Sequence, residues 1–143
     1  MKKLYPQTDV FKKDGLSESK HQQILFQWSD LMVKTGKYPE LRWLHSIPNA
    51  PKLGATSDNK TRAIRGAQMN REGRKKGVSD IFLPVRRGSF SGLYIELKVP
   101  GNKPTREQLE FGCFVAEQGF FFCVCEGWVA AQDMVVGYLE NRL

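Results

Sequence analysis

Three charged residues flank or interrupt two short apolar stretches and could together bind a metal ion. Asp80 precedes one stretch, while Glu96 and Lys98 alternate with apolar residues in the other. Because side chains alternate along a strand, Glu96 and Lys98 would point to one face, and a hairpin would bring Asp80 beside Glu96. Two carboxylates buried together are costly unless a cation joins them, and hard oxygen ligands favour Mg²⁺ or Mn²⁺. The pattern therefore suggests a divalent metal site.

A metal at such a site is suited to phosphodiester hydrolysis. It polarises a phosphoryl oxygen and lowers the pKa of a bound water, and the Lys98 ammonium could position that water or offset charge on the phosphate. The alternative is a Glu–Lys pair on an exposed strand face, which contributes little energy. Spacing alone leaves both interpretations open, since Glu-x-Lys is common by chance.

The elements that must position these residues follow from apolar periodicity and turn residues. An apolar stripe from Ile24 to Met32 predicts a helix that begins near Ser17 and is closed by Gly36 and Pro39. Residues 41–47 predict a short strand, and Asp58 is a plausible N-cap for a basic helix over 60–74.

The second half predicts two strands at 78–83 and 93–99, a helix over 105–118, a strand at 120–125 and a helix over 128–141. Thr105 and Gln108 form a capping-box pattern. The order α-β-α-β-β-α-β-α predicts an α/β fold, a small mixed sheet flanked by helices. The apolar strand 120–125 is expected inside the sheet rather than at its edge.

Length and composition indicate one globular domain. The 143 residues are 41% hydrophobic and 26% charged, which suits a single core. No apolar run approaches the ~20 residues that span a bilayer, and the basic start is not followed by the apolar stretch of a secretory signal. We expect a cytoplasmic protein with a loose arm at 1–16 and one domain over 17–143.

Positive charge is concentrated in one segment. The chain carries a net charge of +7, and residues 60–76 hold seven basic residues against the single acid Glu72. A polyanion is the expected partner, nucleic acid first and an anionic membrane surface second, although a solvated helix face is the alternative. The candidate nucleic-acid contacts are Lys60, Arg62, Arg65, Arg71, Arg74, Lys75 and Lys76, with Arg86 and Arg87 in the following hairpin loop.

Residue types often found at binding sites have simpler explanations here. Three cysteines without a C-x-x-C pair predict no disulfide framework and no zinc site, and Cys123 and Cys125 are expected to be buried in a strand. Trp28, Trp43 and Trp128 fall in apolar segments and are predicted to be core residues rather than stacking platforms. A hydrogen-bonded structural role is favoured for His45 over a general base.

The same residues resemble a known family. Residues 77–85 (GVSDIFLPV) and 92–98 (GLYIELK) are similar to the VRR-NUC domain of the PD-(D/E)XK nuclease superfamily, especially to its stand-alone bacteriophage and prophage form. The resemblance extends through 47–49, 105–108, 118–120 and 127–128, so that it covers the chain from about Ser17 onward. Ser79 stands where the superfamily has proline, and Ala50-Pro51 replaces the usual glycines.

The resemblance implies a restriction-endonuclease-like fold and specific site residues. Asp80, Glu96 and the main-chain carbonyl of Leu97 would bind the metal, and Lys98 would be the catalytic lysine. Glu18 would complete the site from the first helix.

Two glutamines accompany that set. Gln108 matches a glutamine recurrent in the family, and Gln22 lies one turn beyond Glu18. Each of these helix residues has an alternative role: Glu18 would stabilise a helix N-terminus, while Gln108 and Gln22 would complete capping boxes with Thr105 and Ser19.

The implied activity is that of a Mg²⁺- or Mn²⁺-dependent endonuclease acting on DNA. Stand-alone members are expected to form homodimers that cleave branched or Holliday-junction-like DNA. The alternatives are a non-catalytic nucleic-acid-binding module and a subunit that depends on a protein partner.

Overall fold

The computed structural model describes residues 14–48 and 58–143. Most of the predicted arm at 1–16, and the loop residues Ala50 and Pro51, lie outside the described residues. The helices are α1 (Glu18–Lys34), α2 (Asn59–Arg71), α3 (Arg106–Glu117) and α4 (Gly127–Leu139), with a 3₁₀ helix at Pro39–Trp43. The strands are β1 (His45–Ser46), β2 (Ile81–Leu83), β3 (Leu93–Lys98) and β4 (Phe121–Glu126).

The four strands form one mixed sheet in the order β1-β2-β3-β4. The first three are antiparallel, with Ile81 opposite Ile95, and β4 runs parallel to β3 with Cys125 opposite Leu97. A parallel neighbour requires a crossover, which α3 provides. The predicted mixed sheet flanked by helices is therefore confirmed.

Helices cover the two faces of the sheet unequally. The main core lies between the sheet and α1 with α4, where Leu25, Leu97 and Val135 are buried. A smaller cluster of Val115, Phe122 and Val124 lies under α3. No helix among the described residues is long and apolar enough to cross a membrane.

Two expectations about strands were wrong. Residues 39–43 form a 3₁₀ helix because Pro39 suits a helix start, so that only His45 and Ser46 pair with β2. Within the described residues β4 lies at the edge of the sheet. Its apolar sequence has another cause: α3 and α4 pack against its two faces, and Cys123 and Cys125 are buried as predicted.

Candidate active site

Asp80 is held at the start of β2 by its neighbours on both sides. Its carbonyl accepts a hydrogen bond from the Ile47 amide at 2.7 Å, and its Oδ2 accepts one from the Leu97 amide at 3.0 Å. Since the N–H and C=O of a strand residue point toward the same edge, the Leu97 carbonyl faces the Asp80 side. These backbone contacts therefore place the Asp80 side chain beside the Leu97 carbonyl on β3.

Glu96 and Lys98 lie on one face of β3, as the alternation predicted. Glu96 is 0% exposed. Its Oε1 is 2.8 Å from Lys98 Nζ and also accepts a hydrogen bond from the Gln108 side-chain amide. Its Oε2 is buried without a hydrogen-bond partner among the residues described. Half of this carboxylate is thus well paired, while the other half lacks a donor or cation.

Gln108 combines the two roles that the sequence left as alternatives. Its Oε1 accepts from the Thr105 amide at 2.7 Å, and the Thr105 hydroxyl accepts from the Gln108 amide at 3.3 Å, which completes the predicted capping box. Because the cap uses the amide oxygen, the NH₂ group is left to face Glu96. The cap therefore sets the orientation of the Gln108 side chain in the site.

Glu18 approaches the site from the first turn of α1. Ser17 is the N-cap of that helix, and Glu18 Oε2 lies 3.9 Å from Lys98 Nζ. Lys98 is thereby placed between two carboxylates. Since Ser17 caps α1, the capping box suggested for Ser19 and Gln22 does not form.

His21 is a site neighbour that the sequence analysis did not single out. Its ring is 1% exposed, and its Nδ1 accepts a hydrogen bond from the Trp128 amide at 3.2 Å. That amide belongs to the first turn of α4, where Glu126 supplies no side-chain cap. His21 thus fixes the start of α1 against α4. The sequence feature that could have identified His21 is its spacing: it lies four residues before Leu25 and so extends the apolar stripe by one helical turn.

Burial sets the protonation of the site. Burial and the charge of Asp80 raise the pKa of Glu96 to about 8, and the ammonium of Lys98 only partly opposes this. Burial also raises the pKa of Glu18, with Asp80 adding to the effect and Lys98 opposing it. Burial works against the charged form of Lys98, but the hydrogen bond and charge of Glu96 outweigh it and raise the Lys98 pKa. Without a further cation, the Glu96 carboxyl holds its proton near neutral pH.

These properties fit a divalent cation. No group of three or more Asp, Glu, His or Cys side chains able to hold a metal occurs in the described part of the chain. Mg²⁺ does not need one, since it is commonly held by one or two carboxylates while retaining several waters. Asp80, Glu96 and the Leu97 carbonyl supply hard oxygen donors, and the unpartnered Glu96 Oε2 is the atom that a cation would satisfy.

The basic residues of 60–76 lie mostly at the surface. All but one of the seven predicted contacts in 60–76 are exposed, Arg74 being half-buried, and none of α2 is buried. Lys76 is 2.6 Å from Glu107 and ties the end of the segment to α3. Two side chains therefore have protein contacts of their own: Lys76 with Glu107, and Arg74, whose Nε donates to Asn70.

Arg86 and Arg87, the predicted nucleic-acid contacts of the hairpin loop, do not lie beside Asp80. They follow the end of β2 where Leu83 pairs with Leu93, whereas Asp80 lies at the other end of the hairpin. Arg87 pairs with Glu40 and donates to the Leu139 carbonyl at 2.9 Å. Its guanidinium joins the 3₁₀ helix to the C-terminus of α4, which is a structural role.

The architecture and this cluster together define a class of domain. A small mixed sheet flanked by helices, with two carboxylates and a lysine where β2 begins and β3 ends, is an α/β domain of the restriction-endonuclease-like type.

Comparison with known proteins identifies the kind of domain. No family model matches the sequence, and no curated protein matches it. Among solved structures, a chain described as a "VRR_NUC domain protein" is similar, with 25% sequence identity and a TM-score of 0.68. The match covers 87% of this chain and 89% of that chain. The chain is therefore similar in fold to a VRR-NUC domain, as the resemblance in the sequence indicated, and has a nuclease-type fold.

Proposed function

We propose that this protein is a metal-dependent endonuclease that hydrolyses DNA phosphodiester bonds with Mg²⁺, or with Mn²⁺ in its place. The observation that carries the proposal is the buried Glu96 carboxyl group, which has one oxygen beside Lys98, the other without a donor, and the charge of Asp80 close by. A buried carboxylate in this state is costly in a purely structural protein. It is expected where a cation and a substrate complete the site.

Asp80, Glu96 and the Leu97 carbonyl would hold the cation. Bound there, it would supply Lewis-acid polarisation of the phosphate and a water of lowered pKa. Asp80 is kept in place by the Leu97 amide, and Glu96 by Gln108 and Lys98. Neither carboxylate needs to reorganise when substrate arrives.

Lys98 is the residue that would act on the substrate directly. Glu96 and Glu18 hold its ammonium on two sides and keep it charged. In that state it can donate to a non-bridging phosphate oxygen or orient the attacking water. The sign of its charge suits a reaction in which negative charge builds up on the oxygens bonded to phosphorus.

The substrate is proposed to be branched or Holliday-junction-like DNA, bound by a homodimer. The support for this is the resemblance, together with the size of the domain. A domain of 143 residues with one site cuts one strand, so that two copies would be needed for the two strands of a junction. The exposed cations of α2 would contact the phosphate backbone rather than read bases.

A cleavage assay with a matched variant tests the proposal. End-labelled duplex, flapped and four-way-junction DNA would be incubated with wild type, Lys98→Ala and Lys34→Ala, in Mg²⁺, Mn²⁺ or EDTA. Lys34 lies in the last turn of α1, at the opposite end from Glu18, and controls for loss of a lysine. We expect Lys98→Ala to lose about 10²- to 10³-fold in cleavage rate, the usual effect of removing one transition-state donor. Lys34→Ala should cut normally.

Each other result has a definite reading. Cleavage that persists in EDTA contradicts the metal mechanism. A wild type that binds DNA but cuts none of the substrates with either metal contradicts the enzyme and supports the binding-module alternative. Equal rates on all three DNAs, or a monomer by sedimentation in the presence of junction DNA, contradict junction selectivity or the dimer without affecting the chemistry.

A further inference from the structure

Trp43 is far more exposed than its apolar sequence context predicted. Its exposure is 60%, whereas Leu41 and Leu44 on either side are buried. The cause is the 3₁₀ helix at Pro39–Trp43: three residues per turn place Leu41 and Leu44 on one side and direct Trp43 outward. Trp28 and Trp128, by contrast, pack against the core as predicted. The chain thus presents one large aromatic ring to solvent on the strand edge of the sheet.

A cation and a second ring accompany Trp43. The Arg42 guanidinium lies over the Trp43 ring at 5.0 Å from its centroid. His45 is also exposed, its Nδ1 is 2.8 Å from the Trp43 carbonyl, and its ring meets the edge of Phe82 at 5.7 Å. Aromatic rings with an adjacent guanidinium are the groups on which nucleobases stack.

Strand pairing connects His45, next to Trp43, to the candidate active site. His45 lies in register with Phe82, which pairs with Tyr94. Since Tyr94 and Glu96 are two residues apart on β3, His45 lies on the same face of the sheet as Glu96. The Ile47 amide, four residues after Trp43, bonds the Asp80 carbonyl. Trp43 therefore lies four residues along the chain from the backbone that pairs with Asp80.

The local charge favours a nucleic acid over a protein partner. Arg42 is exposed and lies over the Trp43 ring, and Glu40, the one acid in residues 37–46, is paired with Arg87. The charge shown beside Trp43 is therefore positive, in a chain that carries +7 overall. A stacked base would cover the exposed Trp43 ring, and a phosphate of the same strand would pair with the neighbouring guanidinium.

We propose that Trp43, with Arg42 and His45, forms a stacking site for an unpaired nucleobase of the DNA strand that is cleaved at the candidate metal site of Asp80 and Glu96. This deepens the proposed function, on which it rests, by specifying a substrate with unpaired bases beside the cleavage position. Because every base has a π-face, the site should tolerate any base sequence.

Binding of single-stranded DNA in EDTA tests the site without any cleavage. Fluorescence anisotropy of a labelled oligodeoxynucleotide would be compared for wild type, Trp43→Ala, Trp43→Phe and Phe114→Ala. Phe114 is 58% exposed on α3 and is the matched control for loss of an exposed aromatic ring. We expect Trp43→Ala to weaken binding by about 5- to 150-fold, the range for one stacked base, with most of the affinity restored in Trp43→Phe and none lost in Phe114→Ala.

An abasic scan separates stacking from a general effect on the fold. In a series of oligonucleotides that each lack one base, the abasic position that weakens wild-type binding most should weaken Trp43→Ala least. Equal affinities of wild type and Trp43→Ala, or a loss in Trp43→Ala that is the same on every abasic oligonucleotide, would overturn the proposal. So would Trp43-dependent binding of an acidic peptide but not of DNA. Since no metal or turnover is involved, a nuclease assay that fails would leave these readouts intact.

Discussion

The candidate active site around Glu96 and the basic helix α2 differ most in how extensively they pack against the rest of the chain. Glu96 is completely buried, and its neighbours Lys98, Gln108 and Asp80 reach it from three elements. Helix α2 has no buried residue, and its first turn is held by the Asp58 cap. A 13-residue helix with so little packing is marginally stable on its own.

The boundary between the two regions is sharp. Gly77 has a φ of +87°, and a Cβ there would lie 2.6 Å from the Glu107 carbonyl oxygen of α3. Lys76 pairs with Glu107 at the same place. The chain therefore joins the packed body at Lys76 and Gly77, three residues before Asp80. The groups proposed to do chemistry are fixed by the packed body, whereas the helix proposed to contact DNA is not.

The largest expected effect on stability comes from the most buried group, Glu96. Its pKa is about 8 in the folded chain against an ordinary value of 4.5. Between these two pH values the unfolded chain has lost a proton that the folded chain keeps, so that stability falls as pH rises from about 4.5 to 8. At about 1.4 kcal/mol per unit of pKa shift, the loss amounts to a few kcal/mol. Urea unfolding in EDTA at several pH values measures it.

The Glu96→Gln variant is the control for that titration. The difference in unfolding free energy between wild type and Glu96→Gln should change with pH in this window, while the variant alone should keep only the smaller change that the raised pKa of Glu18 produces. Added Mg²⁺ should stabilise wild type more at pH 8 than at pH 6, because the cation competes with the proton for Glu96. Parallel pH curves for the two proteins would contradict a buried carboxyl with a raised pKa.

A smaller effect on stability is expected from removing the N-terminal cap of helix α3. Thr105→Ala removes the hydroxyl that accepts from the Gln108 amide, which should cost about 1 kcal/mol of stability. The backbone amide of residue 105 alone then holds Gln108 Oε1, so that the Gln108 NH₂ group should face Glu96 less firmly and kcat should fall modestly while KM for DNA stays nearly constant. Calorimetric unfolding and steady-state cleavage rates measure the two effects.

The matched variant is Asp58→Ala, which removes the cap of α2, where Asp58 accepts from the Thr61 amide at 2.6 Å. We expect it to leave kcat and global unfolding unchanged, because α2 is not packed into the core. If both cap variants lowered kcat equally, the distinction between a fixed site and a loosely held helix would be wrong.

Local rules were enough to predict the acidic cluster. Strand alternation placed Glu96 and Lys98 on one face, and the hairpin brought Asp80 to β3. The Thr105–Gln108 pattern predicted a cap, and the structure shows that the same glutamine also contacts Glu96. These features depend on neighbours in sequence or on a single strand pairing, which is why a pattern could reveal them.

Features that depend on packing between distant segments could not be predicted in the same way. The exposure of Trp43 follows from a 3₁₀ helix that takes Leu41 and Leu44 into the core. Arg87 is engaged by Glu40 and the end of α4, which are 47 and 52 residues away. Composition described Arg87 only as a cation in a loop. Its partners are set by the three-dimensional arrangement, and so is the position of β4 at the edge.

The smallest expected effect on the protein itself comes from single charges on α2. Arg65→Gln should leave the free energy of unfolding within about 0.5 kcal/mol of wild type, since the side chain is exposed. It should also leave kcat unchanged at saturating DNA.

If Arg65 contacts a phosphate, the slope of log affinity against log salt should become shallower by about 0.9, because one fewer counterion is released. Arg106→Gln is the control, since that exposed arginine is paired with Glu110 on α3. An unchanged slope for Arg65→Gln, and for the same change at Arg62 and Arg71, would show that α2 does not bind the phosphate backbone of DNA. The charge excess of the chain would then have to act from the packed body, and the contrast between the two regions would lose its functional meaning.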